Sequence, residues 1–422
     1  MPKIKPFRGI VYNQEKVENL EKVTAPPYDV ISKKEQEIYY NYHPYNIVRV
    51  ILGKDLPSDN YKENKYTRAA KTFRNWLSSN ILKEEEDAAI YVYTQEYSLG
   101  EKRKKRKGFL ALMKLEEFGE GKVFPHEKTF PKPKEDRLRL LRACRANLSP
   151  IFSLYSDHSF TIDEYLEENK PFIKLTDKSG VYHELGRIKD NNVIKKIAEE
   201  MNNKRVFIAD GHHRYLTALK FSKDEGKRFS EENENFVMVY FSNMEQESMT
   251  ILPTHRLINF VPEKKEELKE KLKEFFSIKI IRFSPKTKDK KMKEMLNEIN
   301  KNRQNYPMMG MYCKEEKYYL LTLKERYKTL EWEADTAILD KIIKKLLGKE
   351  NLKKEEEIEF IRDEKKVIYL IDKGKYQMAF FVKPTSLEQV KKISLTGKVM
   401  PPKSTYFYPK LLTGLVMRDL RK

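Results

Sequence analysis

An α+β fold is predicted for this chain of 422 residues by three features of its sequence. The first part mixes helical periodicity with short apolar runs. The middle holds a strand, Arg205–Ala209, that turns directly into a helix. Beyond about Val261 the composition shifts to lysine- and glutamate-rich helical segments alternating with short strands. Three parts follow from these shifts. An N-terminal α/β segment over 1–85 packs on a core over 86–260, and a C-terminal α+β domain covers 261–422, with its last segment returning to the core. Hydrophobic residues make up 39% of the chain and aromatics 12%, enough for packed interiors, which excludes disorder as the main state.

The elements follow in order. Pro26 and Pro27 each restrict the residue before them, so Thr24–Ile31 reads as an extended loop. Ser32, with Glu35 three residues later, forms a capping box and opens a helix. Pro44 separates that helix from an apolar run, Ile47–Leu52, which reads as a strand. A helix is predicted over Lys65–Ser79, burying Ala69, Phe73, Trp76 and Leu77. Ala89–Tyr97 and Gly108–Leu115 read as a strand pair whose connection contains the unbroken basic run Lys102–Lys107. With no aromatics interleaved, that run reads as a solvated hairpin tip rather than a nucleic-acid contact.

Asp136 is placed as the cap of an arginine-rich helix. Arg142 and Arg145, three apart, share a face of it that meets either an anion or solvent. Ser149-Pro150 stops this helix, and Ile151–Tyr155 reads as a strand. After the Asp210-Gly211 turn, Tyr215, Ala218 and Leu219 recur at helical spacing. Phe236–Phe241 and Thr250–Leu252 are further strands, the second leading into Pro253-Thr254-His255-Arg256. Asp335–Leu347 is the best periodic segment, with Ile338, Leu339, Ile342, Ile343, Leu346 and Leu347 on one face and Gly348 at its end. Met400–Lys410 is too aromatic and proline-rich for a loose tail and is expected to dock onto the body of the protein.

Charge and cysteine usage narrow the function. Lysine plus arginine (84) exceeds aspartate plus glutamate (64), a formal net charge of +20 that points to anionic partners. The excess is spread along the chain among acids, so a phosphorylated small molecule accounts for it as well as nucleic acid does, and nucleic acid is disfavoured as the main ligand. The two cysteines, Cys144 and Cys313, exclude a disulfide framework or a cysteine zinc site. The first residues hold no apolar signal segment, and no apolar run approaches the roughly eighteen residues of a membrane span. A cytoplasmic location without membrane contact is therefore expected.

The sharpest chemical signal is Asp210-Gly211-His212-His213-Arg214 between strand and helix. Gly211 permits a tight turn and close approach of a ligand to the backbone. The unsatisfied N–H groups of the next helical turn favour an anion. His212, His213 and Arg214 add donors at the same spot, and Arg214 has the planar fork that grips a phosphate. Three basic side chains oppose the helix dipole there, which is explained if an anion sits among them. His126-Glu127 supplies a carboxylate able to take a proton from an alcohol, although a loop glutamate is more often a surface residue. Thr254, His255 and Arg256 follow a strand and are candidates for the same site. The histidines also permit a metal-dependent hydrolase, but no His-x-x-x-His pair is present, nor a G-x-x-x-x-G-K-[ST] or G-x-G-x-x-G loop.

The Asp210–Arg214 segment followed by Ala218 resembles the signature of the ParB/sulfiredoxin superfamily. Within it, the order His126-Glu127, an arginine-rich helix, Pro150-Ile151 and then the turn is similar to the ParB-like free-serine kinases. Nearly the whole chain resembles domain-of-unknown-function family 1015, through APPYDVIS at Ala25–Ser32, HPYNIVRVIL at His43–Leu52, ADGHHR, LPTHR and PPKSTYFYPK. The resemblance implies a ParB-like central domain and transfer of a phosphoryl group to free L-serine, with ATP as donor, ADP not being excluded, and Mg2+. It implies Glu127 as general base and Asp210 near the reacting groups or the magnesium. It places His212, His213 and Arg214 on the nucleotide phosphates, with Gly211 giving access and Arg142 and Arg145 as further anion contacts. Tyr28 and Asp29 in the proline loop, with Lys403, Ser404 and Thr405, are expected to close the substrate pocket, Asp29 toward the amino group. His212 stands where sulfiredoxins have cysteine, which argues against thiol chemistry. ParB partition proteins add a helix-turn-helix, and none is evident after Leu219.

Overall fold

Two compact units are present in the computed structural model, which describes residues 2–167, 169–225, 231–259, 265–302, 306–327, 334–346 and 358–421. The first comprises Met1–Pro125, Thr129–Thr250 and Pro409–Lys422. The second comprises His126–Lys128 and Ile251–Tyr408. Residues 1–85 share the first unit with most of 86–260, and the chain returns to it after Tyr408. Leu347 and Gly348 lie outside the described residues. The fold class is α+β, as expected.

The first unit is built on a nine-stranded sheet. Its strands are β1 (Ile4–Lys5), β2 (Ile90–Leu99), β3 (Lys102–Lys114), β4 (Val123–Phe124), β5 (Ile151–Tyr155), β6 (Pro171–Thr176), β7 (Tyr182–Ile188), β8 (Val206–Asp210) and β9 (Phe236–Asn243). The order is β4-β8-β5-β9-β3-β2-β7-β6, with β1 pairing on β3. β8 runs parallel to β4 and antiparallel to β5, and β9 runs parallel to β5. Alternate residues such as Val92, Phe109, Ile151, Val206, Ile208 and Val239 point to one face. They are sealed there by Ile194, Ile197 and Met201 of the helix Asn191–Asn202.

Three readings are corrected in this unit. Ile47–Leu52 is not a strand: Val48–Ile51 forms one helical turn with Val48, Val50 and Ile51 buried. A short apolar run carries no period that separates strand from buried helix. The basic run is not a hairpin tip either. It lies inside β3, paired residue by residue with β2 from Lys102↔Leu99 to Lys107↔Thr94, and the turn is Gly100-Glu101. Arg106 is wholly buried, stacked 4.6 Å from the Phe152 ring centroid and donating to the Gln95 side chain and, at 2.6 Å, to the Pro409 carbonyl. Finally, Asp136 is interior to its helix, Pro131–Cys144, rather than its cap. Prolines in the first turn displace no helical hydrogen bond, because those N–H groups have no intrahelical acceptor.

Other readings match. Ser32 and Glu35 form a reciprocal capping box on Lys33–Tyr42. Lys65–Ser78 is a helix burying Ala69, Ala70, Phe73 and Trp76, with Leu77 half-buried.

The second unit has a six-stranded antiparallel sheet. It is formed by β10 (His255–Ile258), β11 (Phe276–Arg282), β12 (Met308–Tyr312), β13 (Lys317–Leu323), β14 (Ile358–Ile361) and β15 (Met378–Phe381), in the order β11-β13-β12-β15-β10-β14. Both faces are covered. Leu268, Leu272, Ile338, Leu339 and Ile342 pack on one; Met292, Met295, Val367 and Ile371 pack on the other. Among the described residues no helix is long and apolar enough to cross a membrane.

Candidate functional site

The geometry of the first unit converges on the end of β8. A register irregularity between Ile208 and Asp210, with Asp210 opposite Phe152, re-aims the last residue of the strand. Gly211 follows with φ +93°, a conformation that a side chain resists, and the helix His212–Glu225 begins at the next residue. A β-carbon at Gly211 would stand 3.0 Å from Nε and Nη2 of Arg214. The glycine thus serves two purposes: it makes the turn and lets the Arg214 guanidinium fold back over it.

Asp210 is mostly buried and accepts from two cations. Lys410 Nζ lies 2.6 Å from Oδ1, and Arg214 Nη2 lies 2.8 Å from Oδ2. Arg214 also donates to the Pro150 carbonyl, so its fork is fixed from both sides. The sequence alone placed cations against the helix dipole with only an external anion to explain them. The structure adds a carboxylate from the chain itself, leaving one net positive charge among Asp210, Arg214 and Lys410. Lys410 was not foreseen as a site residue. Its only signal in the sequence was its position at the end of PPKSTYFYPK. His212 is buried, while His213 stacks on Phe130 and its Nε2 accepts the Phe130 N–H at 2.9 Å. Accepting at Nε2 leaves Nδ1 as the donor of the neutral ring.

Tyr28 lies in the same unit, in a single 3-10 turn, Tyr28–Val30, that interrupts the expected extended loop. The Arg137 guanidinium stacks 3.9 Å from its ring centroid, and Arg137 donates to the Ile51 carbonyl at 2.8 Å and to Asp136 at 2.9 Å. Burial above all, then the Asp29 charge, raises the Tyr28 hydroxyl to about 12, against the opposing pull of Arg137 and Arg214. Asp29 itself is exposed. Arg142 pairs with Asp224 at 2.8 Å, and Arg145, past the helix end with φ +49°, lies 3.5 Å from Glu234. Asp224 is twelve residues along its helix from His212, roughly 18 Å at 1.5 Å per residue. The structure therefore does not bring Arg142 to the glycine turn.

A wider groove of about 760 Å³ runs along Lys102–Lys107. Asp163, Glu167, Glu245 and Glu247 share its walls with the lysines, so it does not present one sign of charge.

In the second unit, His126-Glu127-Lys128 pairs with the C-terminal motif. Met400 exchanges backbone hydrogen bonds with His126 and Lys128, and the buried His126 Nε2 is 2.8 Å from Thr405 Oγ1. Glu127 Oε1 accepts the backbone N–H of Lys403 at 3.0 Å, where Lys403 has φ +62°. Ser404 Oγ donates to the Pro401 carbonyl. Glu127, Lys403, Ser404 and Thr405, far apart in sequence, are thus brought together.

Thr254, His255 and Arg256 are buried at the start of β10 with structural partners. Arg256 donates to Asp340 at 3.2 Å and to the Thr254 carbonyl, and His255 Nδ1 accepts the Val382 N–H at 3.3 Å. Burial, helped by the Arg256 charge, lowers the His255 pKa to about 3 from 6.5. The native ring thus binds fewer protons than the unfolded one between those values. Its contribution is intact above pH 6.5 and is lost as pH falls toward 3. By pH 5 this costs about 2 kcal/mol. Urea unfolding of wild type is expected to weaken more steeply between pH 6.5 and 5 than that of His255→Asn.

Among the described residues no group of three or more His, Cys, Asp or Glu side chains could hold a metal ion by itself. A magnesium ion carried by nucleotide phosphates needs only one or two carboxylates, and Asp210 is the carboxylate at the glycine turn.

Taken together, these features define a mixed α/β protein with a cation-rich strand–turn–helix. The chain belongs to the family described as protein of unknown function DUF1015, whose model matches residues 4–346. No curated protein matches it. Solved structures give distant likenesses. A free serine kinase in complex with AMP is 13% identical with a TM-score of 0.36, covering 68% of this chain and 83% of that one. SbnI with a C-terminal truncation, from Staphylococcus aureus, is 12% identical with a TM-score of 0.38, covering 72% and 85%. A conserved hypothetical protein from Pyrococcus furiosus is 12% identical with a TM-score of 0.36, covering 69% and 89%.

Proposed function

We propose that this protein is a kinase that transfers the γ-phosphoryl group of ATP, with magnesium, to the hydroxyl of free L-serine. The products are O-phospho-L-serine and ADP. One observation carries this reading: the glycine turn at φ +93° that opens a helix beneath Arg214, with Lys410 and Asp210 locked beside it. Backbone donors at a helix start and two fixed cations suit the phosphates of a nucleotide. Phosphoryl transfer asks little covalent chemistry of a protein beyond positioning and charge neutralisation.

In the proposed reaction the serine oxygen attacks phosphorus, the bond to the β-phosphate oxygen breaks, and the hydroxyl proton passes to a base. Gly211, His212, His213, Arg214 and Lys410 hold phosphates, and Asp210 orients the cations and takes the magnesium. Glu127 is the base that the family motif implies, on a segment fixed by Met400, Lys403 and Thr405.

The test is incubation of the purified protein with ATP or ADP, magnesium and each free amino acid in turn. Phosphoserine as product is the expected result, and its absence with both nucleotides overturns the proposal. Glu127→Gln is expected to lower turnover by about 10²–10⁴-fold, the usual contribution of a general base. Unchanged turnover would remove Glu127 from that role and leave the kinase reading standing.

A further inference from the structure

Beside Arg214, wholly within the first unit, the helices Pro131–Cys144 and His212–Glu225 enclose a small cleft of about 70 Å³. Its lining is mixed: Leu140, Leu148, Ile151 and Val237 are apolar, while Tyr28, Arg137 and Arg214 bring a phenol and two guanidinium groups. The volume is room for about five waters, the scale of a molecule with five to seven non-hydrogen atoms.

Charge and hydrogen bonding indicate what would enter. Arg137, Arg214, Lys65 and Lys410 are four cations, against the three carboxylates they contact, Asp55, Asp136 and Asp210. An anion of single charge brings the group to neutrality. Arg137 gives one N–H to Ile51 and two to Asp136; Arg214 gives one to Pro150 and one to Asp210. A guanidinium carries five N–H donors, so each fork retains donors beyond these. Stacking on Tyr28 holds the Arg137 plane still, so a planar anion pays little ordering entropy on docking.

We propose that this cleft receives the carboxylate of a small amino or hydroxy acid, gripped by Arg137 and Arg214 with the Tyr28 hydroxyl as third donor. The proposal rests on the kinase reading for its place in a reaction, where the cleft holds the acceptor while the glycine turn holds the donor. It makes the carboxylate, rather than the amino group, the feature of the acceptor that is selected. Arg214 borders both places, so it couples acceptor and donor positions through one side chain.

Calorimetric titration with L-serine, with ethanolamine, which lacks the carboxylate, and with inorganic phosphate tests this without turnover. Wild type is expected to bind L-serine at least about tenfold tighter than ethanolamine, as expected for hydrogen bonds to a charged group. Arg137→Met is expected to weaken L-serine by about tenfold or more and to remove the discrimination, while the KM for ATP stays within about twofold. Tyr28→Phe keeps the ring under Arg137 and is expected to weaken L-serine by about three- to tenfold. It decides the matter if Arg137→Met fails to fold. The proposal is overturned if L-serine binding is unchanged in the folded variants, or if their loss falls on phosphate or ATP instead. Carboxylate binding that depends on Tyr28 and Arg137, without any phosphoserine formed, would keep the cleft and discard the kinase.

Discussion

Asp210→Asn is expected to lower the turnover of phosphoserine formation by about 10²–10³-fold, the scale found when one fixed electrostatic group is removed from a reacting centre. The substitution keeps the shape of the side chain. It removes the charge that holds Lys410 at 2.6 Å and Arg214 at 2.8 Å. The amide can still accept from one cation, but its nitrogen end opposes the other. Both cations then lose their fixed aim and the magnesium loses its carboxylate. The expected pattern is therefore a fallen kcat. Steady-state kinetics check it, and turnover within about threefold of wild type would remove Asp210 from the reacting centre.

Arg106→Ala is expected to destabilise the first unit by about 3–5 kcal/mol, read from urea unfolding midpoints. Arg106 is wholly buried, and truncation leaves the Gln95 and Pro409 oxygens without its donors, each worth about 1–3 kcal/mol when stranded. It also removes the packing of the guanidinium on Phe152. Arg106→Met is expected to recover part of the loss by refilling the space. A cost below about 1 kcal/mol for Ala would mean that the site collapses or admits water. A second effect follows from position. Pro409 directly precedes Lys410, whose own carbonyl accepts from Gln95 at 2.9 Å. Loosening this anchor displaces a cation of the glycine turn, so turnover falls along with stability.

Local signals in the sequence were enough for elements whose chemistry is local. The strand, glycine turn and helix around Asp210 were readable because the apolar run, the flexible residue and the periodic segment adjoin one another. So was the helix opened by Ser32 and Glu35, since its cap needs only four consecutive positions. What escaped depends on partners distant in the chain. Lys410 reaches Asp210 across 200 positions, and the Tyr28–Arg137 stack joins residues more than a hundred apart. Nothing in the neighbourhood of either residue encodes such a meeting. Val48–Ile51 was misread because four apolar residues fit either a strand or one buried helical turn. The helix at Pro131 was misread because prolines at its start look like a loop. Arg142 and Arg145 were grouped by spacing, although the helix ends at Cys144 and the left-handed backbone of Arg145 carries it to Glu234.

The basic stretch Lys102–Lys107 has one further consequence. Six consecutive lysines and arginines make it the densest target for trypsin in the chain. A protease must draw its substrate out as a free extended segment, yet here each residue is matched to one in β2. Arg106 is buried as well, and Lys107 is tied to Gln246 through its backbone N–H and carbonyl. Scission at this point requires the ribbon to open first. The stretch that looks most vulnerable on paper is therefore a reporter of local unfolding.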